Sequence, residues 1–296
     1  MKVKGMEDRI VDIVAILIVT FFSICCIYPI IYCFSMSLSG NDAIVLGSVK
    51  LWPVGFSLES YALVLQNKEF VRSLINSVVY TILGTLLSLT ANLTLGYVLS
   101  RKNFVFKKFL TVFLLIPMMF SGGLIPTFKL INSLGMYNNV LALILPGAVS
   151  IWNAILAKTF FQSTIPQDVI ESAVVDGASD MKIFVKIVLP LSTTIIAILS
   201  LYAAIGIWND YFTALVYIRD ETLQPLQLFL KDVLAAQSSM SSMSDMLDPA
   251  NYISNYVNSQ RIKYVLIVVS TLPIMLVYPS IQKYFVKGVM LGSVKG

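Results

Sequence analysis

The run from Ile10 to Phe34 contains one charged residue, Asp12, and within it Val14-Ala15-Ile16-Leu17-Ile18-Val19 is apolar without interruption. A helix crossing a bilayer needs about 20 mainly apolar residues. A membrane barrel strand needs about 10 of alternating polarity. Solid blocks of this kind meet the first requirement and violate the second. Five more follow, at about Leu74–Leu99, Phe109–Phe128, Val140–Phe161, Leu191–Ile218 and Tyr264–Ile281. The expected fold is an all-α polytopic membrane protein, a single membrane domain over residues 1–296 with six transmembrane helices.

Hydrophobic residues make up 57% of the chain and charged ones 12%, against roughly 25% charged in soluble domains. Such a chain cannot wet the surface of a soluble fold, and it is too apolar for disorder. Histidine is absent. That removes the Ser-His-Asp triad, Cys-His dyads, His-ligated zinc and HExxH metalloproteases. Intramembrane aspartyl proteolysis would need two aspartates deep in facing spans, and only Asp12 and Asp210 come near, both towards span ends. Cys25, Cys26 and Cys33 all fall in the first span and read as small apolar side chains. That span is longer than a signal-peptide core and lacks a small-x-small cleavage site, so it reads as a retained anchor.

Charge sets the direction. With the N-terminus in the cytoplasm, the inner side holds 13 of the 21 basic residues and seven acids, net +6, leaving −1 outside. The positive-inside rule then places both termini in the cytoplasm of a multi-pass plasma-membrane protein. The overall +5 reports topology, so no nucleic-acid partner is expected. The loop at about Ser35–Ser73 lies outside, with Trp52-Pro53 as an interfacial ring and a break. The long loop 219–263 is also outside, and its Ser/Met-rich stretch Gln237–Asp248 reads as a flexible segment.

Residues 162–190 form an inner segment too polar to span and too apolar for a plain loop. Thr164-Ile165-Pro166-Gln167 matches a capping box with Thr164 as N-cap. Gly177 interrupts the helix that follows, and Ser179 or Asp180 can cap a second one bearing Ile183, Phe184 and Ile187 on one face. This helix pair on the cytoplasmic surface suits docking of a soluble partner.

Its sequence is Glu171-Ser172-Ala173-Val174-Val175-Asp176-Gly177, nine residues, then Ile187-Val188-Leu189-Pro190. This resembles the EAA motif of ABC importer permeases (Glu-Ala-Ala, three residues, Gly, nine residues, Ile-x-Leu-Pro), with Ser172 in place of the first alanine. Ser121-Gly122-Gly123-Leu124-Ile125-Pro126, Trp208-Asn209-Asp210-Tyr211 and the tail from Tyr278 to Gly296 extend the resemblance over nearly the whole chain. They are most similar to the second permease of complex-oligosaccharide importers in the carbohydrate-uptake branch.

The resemblance implies a type I, MetI-like permease fold with a cytoplasmic coupling helix pair. It implies a heterodimeric pore with a second permease, two ATP-binding subunits beneath, and an extracellular solute-binding protein that delivers an oligosaccharide. Mapped onto this chain, Glu171 would be the polar contact to the ATPase. Ser172, Ala173 and Gly177 would allow close packing, Asp176 would help end the helix, Ile187, Leu189 and Pro190 would complete the ATPase-coupling set, and Pro190 would set the entry into span five. The chain has no G-x-x-x-x-G-K-[ST] phosphate loop. ATP and magnesium would be held by the partner subunits, with no cofactor, metal or catalytic residue in this chain. The alternatives are a permease for another small solute, or a stand-alone secondary transporter, which would need an inverted repeat and buried ionisable groups.

Polar residues inside spans are costly and tend to face the bundle interior or a cavity. Thr81, Gly84, Thr85, Ser88, Asn92 and Gly96 share one stripe of span two; Tyr202, Gly206, Asn209 and Thr213 share one of span five. Asn92, Asn153, Tyr202, Asn209, Asp210 and Tyr211 are the candidate lining of a sugar path. For span two, helix–helix packing explains the stripe equally well.

Overall fold

The computed structural model describes residues 6–244, 260–279 and 282, and all regular structure among them is helical. The helices are α1 (Met6–Ser37), α2 (Asn41–Val45), α3 (Glu59–Gln66), α4 (Lys68–Ser100), α5 (Lys107–Met119), α6 (Leu124–Ser133), α7 (Leu141–Ile144) and α8 (Ile151–Thr164). They continue as α9 (Gln167–Val175), α10 (Asp180–Leu191), α11 (Thr193–Asn209), α12 (Phe212–Tyr217), α13 (Leu226–Ser244) and α14 (Gln260–Pro279). The C-terminal tail with Lys283, Lys287 and Lys295, the end of span six at Ile281, and residues 245–259 lie outside the described residues.

Three helices are continuous, long and apolar enough to cross a membrane: Ile10–Ser37, α4 and α14. Two more candidates are bent pairs, α5 with α6 at 118° and α10 with α11 at 84°. The expected third span, Phe109–Phe128, is thus broken. Pro117 sits in the last turn of α5, and the backbone leaves the helix at Phe120, to restart after Gly123 at φ +81°. The expected fourth span, Val140–Phe161, is divided between the one-turn α7 and α8, because Pro146 and Gly147 intervene and Ser150 caps the new helix by accepting from the Asn153 N–H. The fifth, Leu191–Ile218, divides at both ends. Pro190 has no N–H for the Lys186 carbonyl, and residues Phe184–Val188 widen into a π turn just before it. The buried Ser192 then turns the chain, its hydroxyl bonding the Val188 carbonyl at 2.6 Å. At the far end Asp210 leaves helical geometry and its carboxylate accepts from the Thr213 N–H at 3.0 Å, starting α12.

The chain parts into two compact units, residues 1–71 with 232–272, and residues 72–231 with 273–296. In the first, α1 is exposed on every side from Ile10 to Ile31. A helix that is apolar all round and unburied by its own chain suits lipid or a partner span. The loop after it is tightly built. Ser35 Oγ bonds the Leu51 carbonyl at 2.6 Å, and the Val54 N–H bonds Ser39 Oγ. Arg261 at the start of α14 is 2% exposed. Its two terminal nitrogens donate to Asn41 Oδ1 (2.6 Å) and Ser57 Oγ (3.0 Å), with Glu59 at 3.5 Å. A lysine there keeps the charge and loses the two-pronged geometry. Arg261→Lys should cost about 1–2 kcal/mol, seen as a lower unfolding midpoint of the detergent-solubilised chain.

In the second unit, the buried side of α4 carries Ser73, Ser77, Tyr80, Gly84, Ser88, Asn92 and Gly96, while Ile75, Val78, Val79, Ile82, Leu83 and Leu86 point outward. Small and polar residues inside with apolar ones outside is membrane patterning. Asn76, Ser77 and Tyr80 pin the segment before α13 by bonding the Thr222, Gln224 and Leu223 carbonyls and the Leu226 N–H. Asn138, at φ +55°, accepts from the Arg219 and Asp220 amides. Asp220 itself accepts from Thr222, which holds its carboxyl below the usual carboxylate range. The stretch Gln237–Ser244, expected to be flexible, continues α13 as helix. Serine and methionine are both compatible with a helix, and nothing in that stretch breaks one.

Candidate functional site

Residues 162–190 fold as the expected helix pair, with one boundary moved. Thr164 is the last residue of α8 and caps nothing. Pro166 precedes α9, which has no side-chain cap. The turn between the helices is a Schellman motif. The Ala178 N–H bonds the Ala173 carbonyl at 2.9 Å, the Gly177 N–H bonds the Val174 carbonyl, and Gly177 takes φ +73°. Asp176 is the C-cap of α9, and Ser179 is the N-cap of α10, its hydroxyl accepting from the Lys182 N–H.

The pair has two faces. Ile170, Ala173, Ile183, Phe184 and Val188 are buried with Leu93 and Tyr97 of α4, Ala157 and Phe161 of α8, and Ile195 and Leu199 of α11. Ile187 and Leu189 are half-buried against the same cluster. Ala173, expected to face a partner, therefore packs inward. Glu171, Ser172, Asp176 and Pro190 are exposed. Beside them stand Val174 (52% exposed), Val175 (87%), Met181 (66%) and Val185. Sequence reasoning did not single these four out. Their signal was apolar residues at positions that the helical period assigns to the outer face. Arg101 at the end of α4 braces the pair, lying over the Tyr97 ring at 5.5 Å and 3.6 Å from the Asp180 carboxylate.

The candidate path residues separate into two groups. Asn92 is 1% exposed and both polar atoms of its amide have partners. It donates to the Ser88 carbonyl, Ser88 Oγ and the Ala148 carbonyl, and accepts from the Ser150 N–H at 2.9 Å. It joins α4 to the start of α8 and has no free polar atom for a sugar. Asn153 is also buried, 8% exposed. Tyr202, Gly206 and Asn209, at i, i+4 and i+7 of α11, form an exposed stripe, and a Cβ added at Gly206 would meet nothing within 4 Å. Tyr211 continues it at 45% exposure, while Trp208 on the opposite side is buried. Asp210 is occupied with its cap to Thr213. The stripe is thus available for contact, whereas Asn92 belongs to the fold. Among the described residues no cluster of acids and cysteines is arranged to hold a metal.

Comparison with known proteins gives a consistent result. Residues 3–291 match the family described as "Binding-protein-dependent transport system inner membrane component". The chain is 38% identical over 291 residues to the polygalacturonan/rhamnogalacturonan transport system permease protein YtcP of Bacillus subtilis, covering 98% of this chain and 100% of that one. It is 37% identical to the protein LplC of the same organism, covering 97% and 96%. Among solved structures it resembles a chain of a bacterial ABC transporter involved in the import of the acidic polysaccharide alginate. That likeness has a TM-score of 0.84 and 32% identity, over 96% of this chain and 100% of that chain. The protein is a member of the family of inner-membrane permease components of binding-protein-dependent transport systems, and its all-helical fold is the ABC importer permease fold.

Proposed function

We propose that this permease forms half of a pore for oligosaccharides cut from acidic polysaccharides, and that ATP hydrolysed on separate subunits drives it through the α9–α10 pair. Two of the relatives support this substrate class, with names that specify polygalacturonan, rhamnogalacturonan and alginate. The second half of the pore is a companion permease. Two ATP-binding subunits dock from the cytoplasm, and an extracellular solute-binding protein delivers the sugar. Both chain termini lie in the cytoplasm, and the chain itself hydrolyses nothing.

One observation carries the coupling assignment. The helix pair buries one face in its own chain and leaves Glu171, Val174, Val175, Met181 and Val185 exposed. Exposed apolar residues rimmed by charge mark a protein-binding surface. The exposed Tyr202–Gly206–Asn209 stripe supports the path: hydroxyl and amide groups facing lipid would be costly, so a partner or an aqueous passage covers them.

Glu171→Lys tests this. In proteoliposomes holding the complete importer, uptake and receptor-stimulated ATP hydrolysis should both fall at least about 10-fold, the effect of losing 1.4 kcal/mol of docking energy. Reversing a charge at a desolvated contact typically costs more than that. Wild-type uptake by a stably inserted Glu171→Lys chain would refute the docking assignment.

A further inference from the structure

A cavity of about 440 Å³ lies beside the coupling pair. One wall is the end of α4, with Ser100, Arg101 and Lys102, and the other is the turn from α8 into α9, with Ser163, Thr164 and Gln167. Gln162 ties the two walls by donating to the Ser100 carbonyl. No acidic residue lines the space. Arg101 lies over the Tyr97 ring and pairs at 3.6 Å with Asp180, whose side chain is 78% exposed, and an exposed pair of this kind contributes little. Lys102 is exposed and makes no ion pair among the described residues. Two cations line the space with the side chains of Ser163, Thr164 and Gln167 and with no carboxylate in the lining, a donor set that suits a phosphate group.

The setting narrows the source of that phosphate. Lys107 and Lys108 begin α5 a few residues away, and Lys107 Nζ bonds the Arg101 carbonyl at 3.3 Å. With both termini inside, this rim lies at the cytoplasmic surface of the bilayer. Anionic phospholipids give that surface its negative potential, and basic pockets between spans there bind their headgroups. We propose that the cavity holds the phosphate of an anionic phospholipid of the inner leaflet, joining the end of α4 to the root of the coupling pair. The inference rests on the proposed orientation, and it makes coupling dependent on acidic lipid.

Native mass spectrometry of the full chain released from nanodiscs of mixed phosphatidylglycerol and phosphatidylcholine tests it. Phosphatidylglycerol should be retained in preference. Each charge near the surface contributes about 1 kcal/mol, so Lys102→Gln should lower retention about 5-fold and Arg101→Gln with Lys102→Gln about 30-fold. Gln167→Glu removes no cation and adds an anion to the lining, so it should lower retention even where the double variant folds poorly. Lys108→Gln, outside the lining, should lower retention less than Lys102→Gln does. Equal retention of both lipids overturns the proposal, as does an equal loss with Lys108→Gln. Displacement by millimolar inorganic phosphate also overturns it, by assigning the site to a free anion. Retention is read without ATP or transport, so its failure is separable from a failure of the docking assignment.

Discussion

Gly177→Val should abolish uptake while leaving the chain in the membrane. Gly177 takes φ +73°, a conformation that costs an L-residue roughly 1–2 kcal/mol and a β-branched one more. Space is not the obstacle, since a Cβ there would meet nothing within 4 Å. The strain falls on the turn, whose bonds from Ala178 to Ala173 and from Gly177 to Val174 set the angle between α9 and α10. Relaxing φ breaks those bonds and moves Glu171, Val174 and Val175 relative to Met181 and Val185, which the proposed docking presents to one partner. Uptake and receptor-stimulated ATP hydrolysis in proteoliposomes should fall at least about 10-fold, since 1.4 kcal/mol of docking energy already corresponds to that factor. Gly177→Asn provides the control, because asparagine tolerates the left-handed region; it should retain most of the activity. Equal loss in both variants would place the requirement in an outside surface packed against the glycine and would overturn the backbone argument.

The features that chemistry announces locally were legible in the sequence. Gly177, Ser179 and the apolar positions Ile183 and Phe184 define the helix pair by turn chemistry and period alone, and the structure places them accordingly. The first apolar block and α4 are uniform enough to read directly. The bends were harder. Proline can break a helix, as at Pro117, Pro146 and Pro190, yet the 118° and 84° angles depend on what the freed backbone groups find, such as the Val188 carbonyl taken by Ser192. Thr164 matched a capping pattern but α8 extended through it, because a local motif does not record a preceding helix. Asn92 shows the same limit at the candidate site. A lone amide in a span reads alike as a sugar ligand or as a clamp, and only the Ala148 and Ser150 backbone decides between them.

The largest loss of stability should come from Gly96, one turn beyond Asn92 on the same buried stripe. A Cβ there would lie 2.6 Å from Ala157 Cβ and 3.0 Å from both the Ala154 carbonyl and the Lys158 nitrogen. None of these is the far end of a flexible side chain, and Ala154 and Ala157 are fully buried. Alanine in place of helical glycine would by itself gain about 0.5–1 kcal/mol. Overpacking at a rigid contact costs about 1–3 kcal/mol, so the steric term prevails even for one methyl group. Gly96→Val should lose about 3 kcal/mol, measured as unfolding in mixed micelles. Gly84 is the internal comparison. Its added Cβ would also meet an atom at 2.6 Å, but that atom is Ile207 Cδ1, which can rotate away. Gly84→Ala should therefore be nearly neutral. Combining Gly96→Ala with Ala157→Gly removes the closest contact and leaves the two at 3.0 Å, so it should restore part of the loss. A Gly96→Val chain no less stable than Gly84→Ala would refute rigid contact between α4 and α8. If the contact holds, its effect extends past stability. Ala157 and Phe161 belong to the cluster that buries Ile170, Ala173 and Ile183, so displacing α8 displaces α9 and α10. Receptor-stimulated ATP hydrolysis by the folded fraction should then fall further than basal hydrolysis.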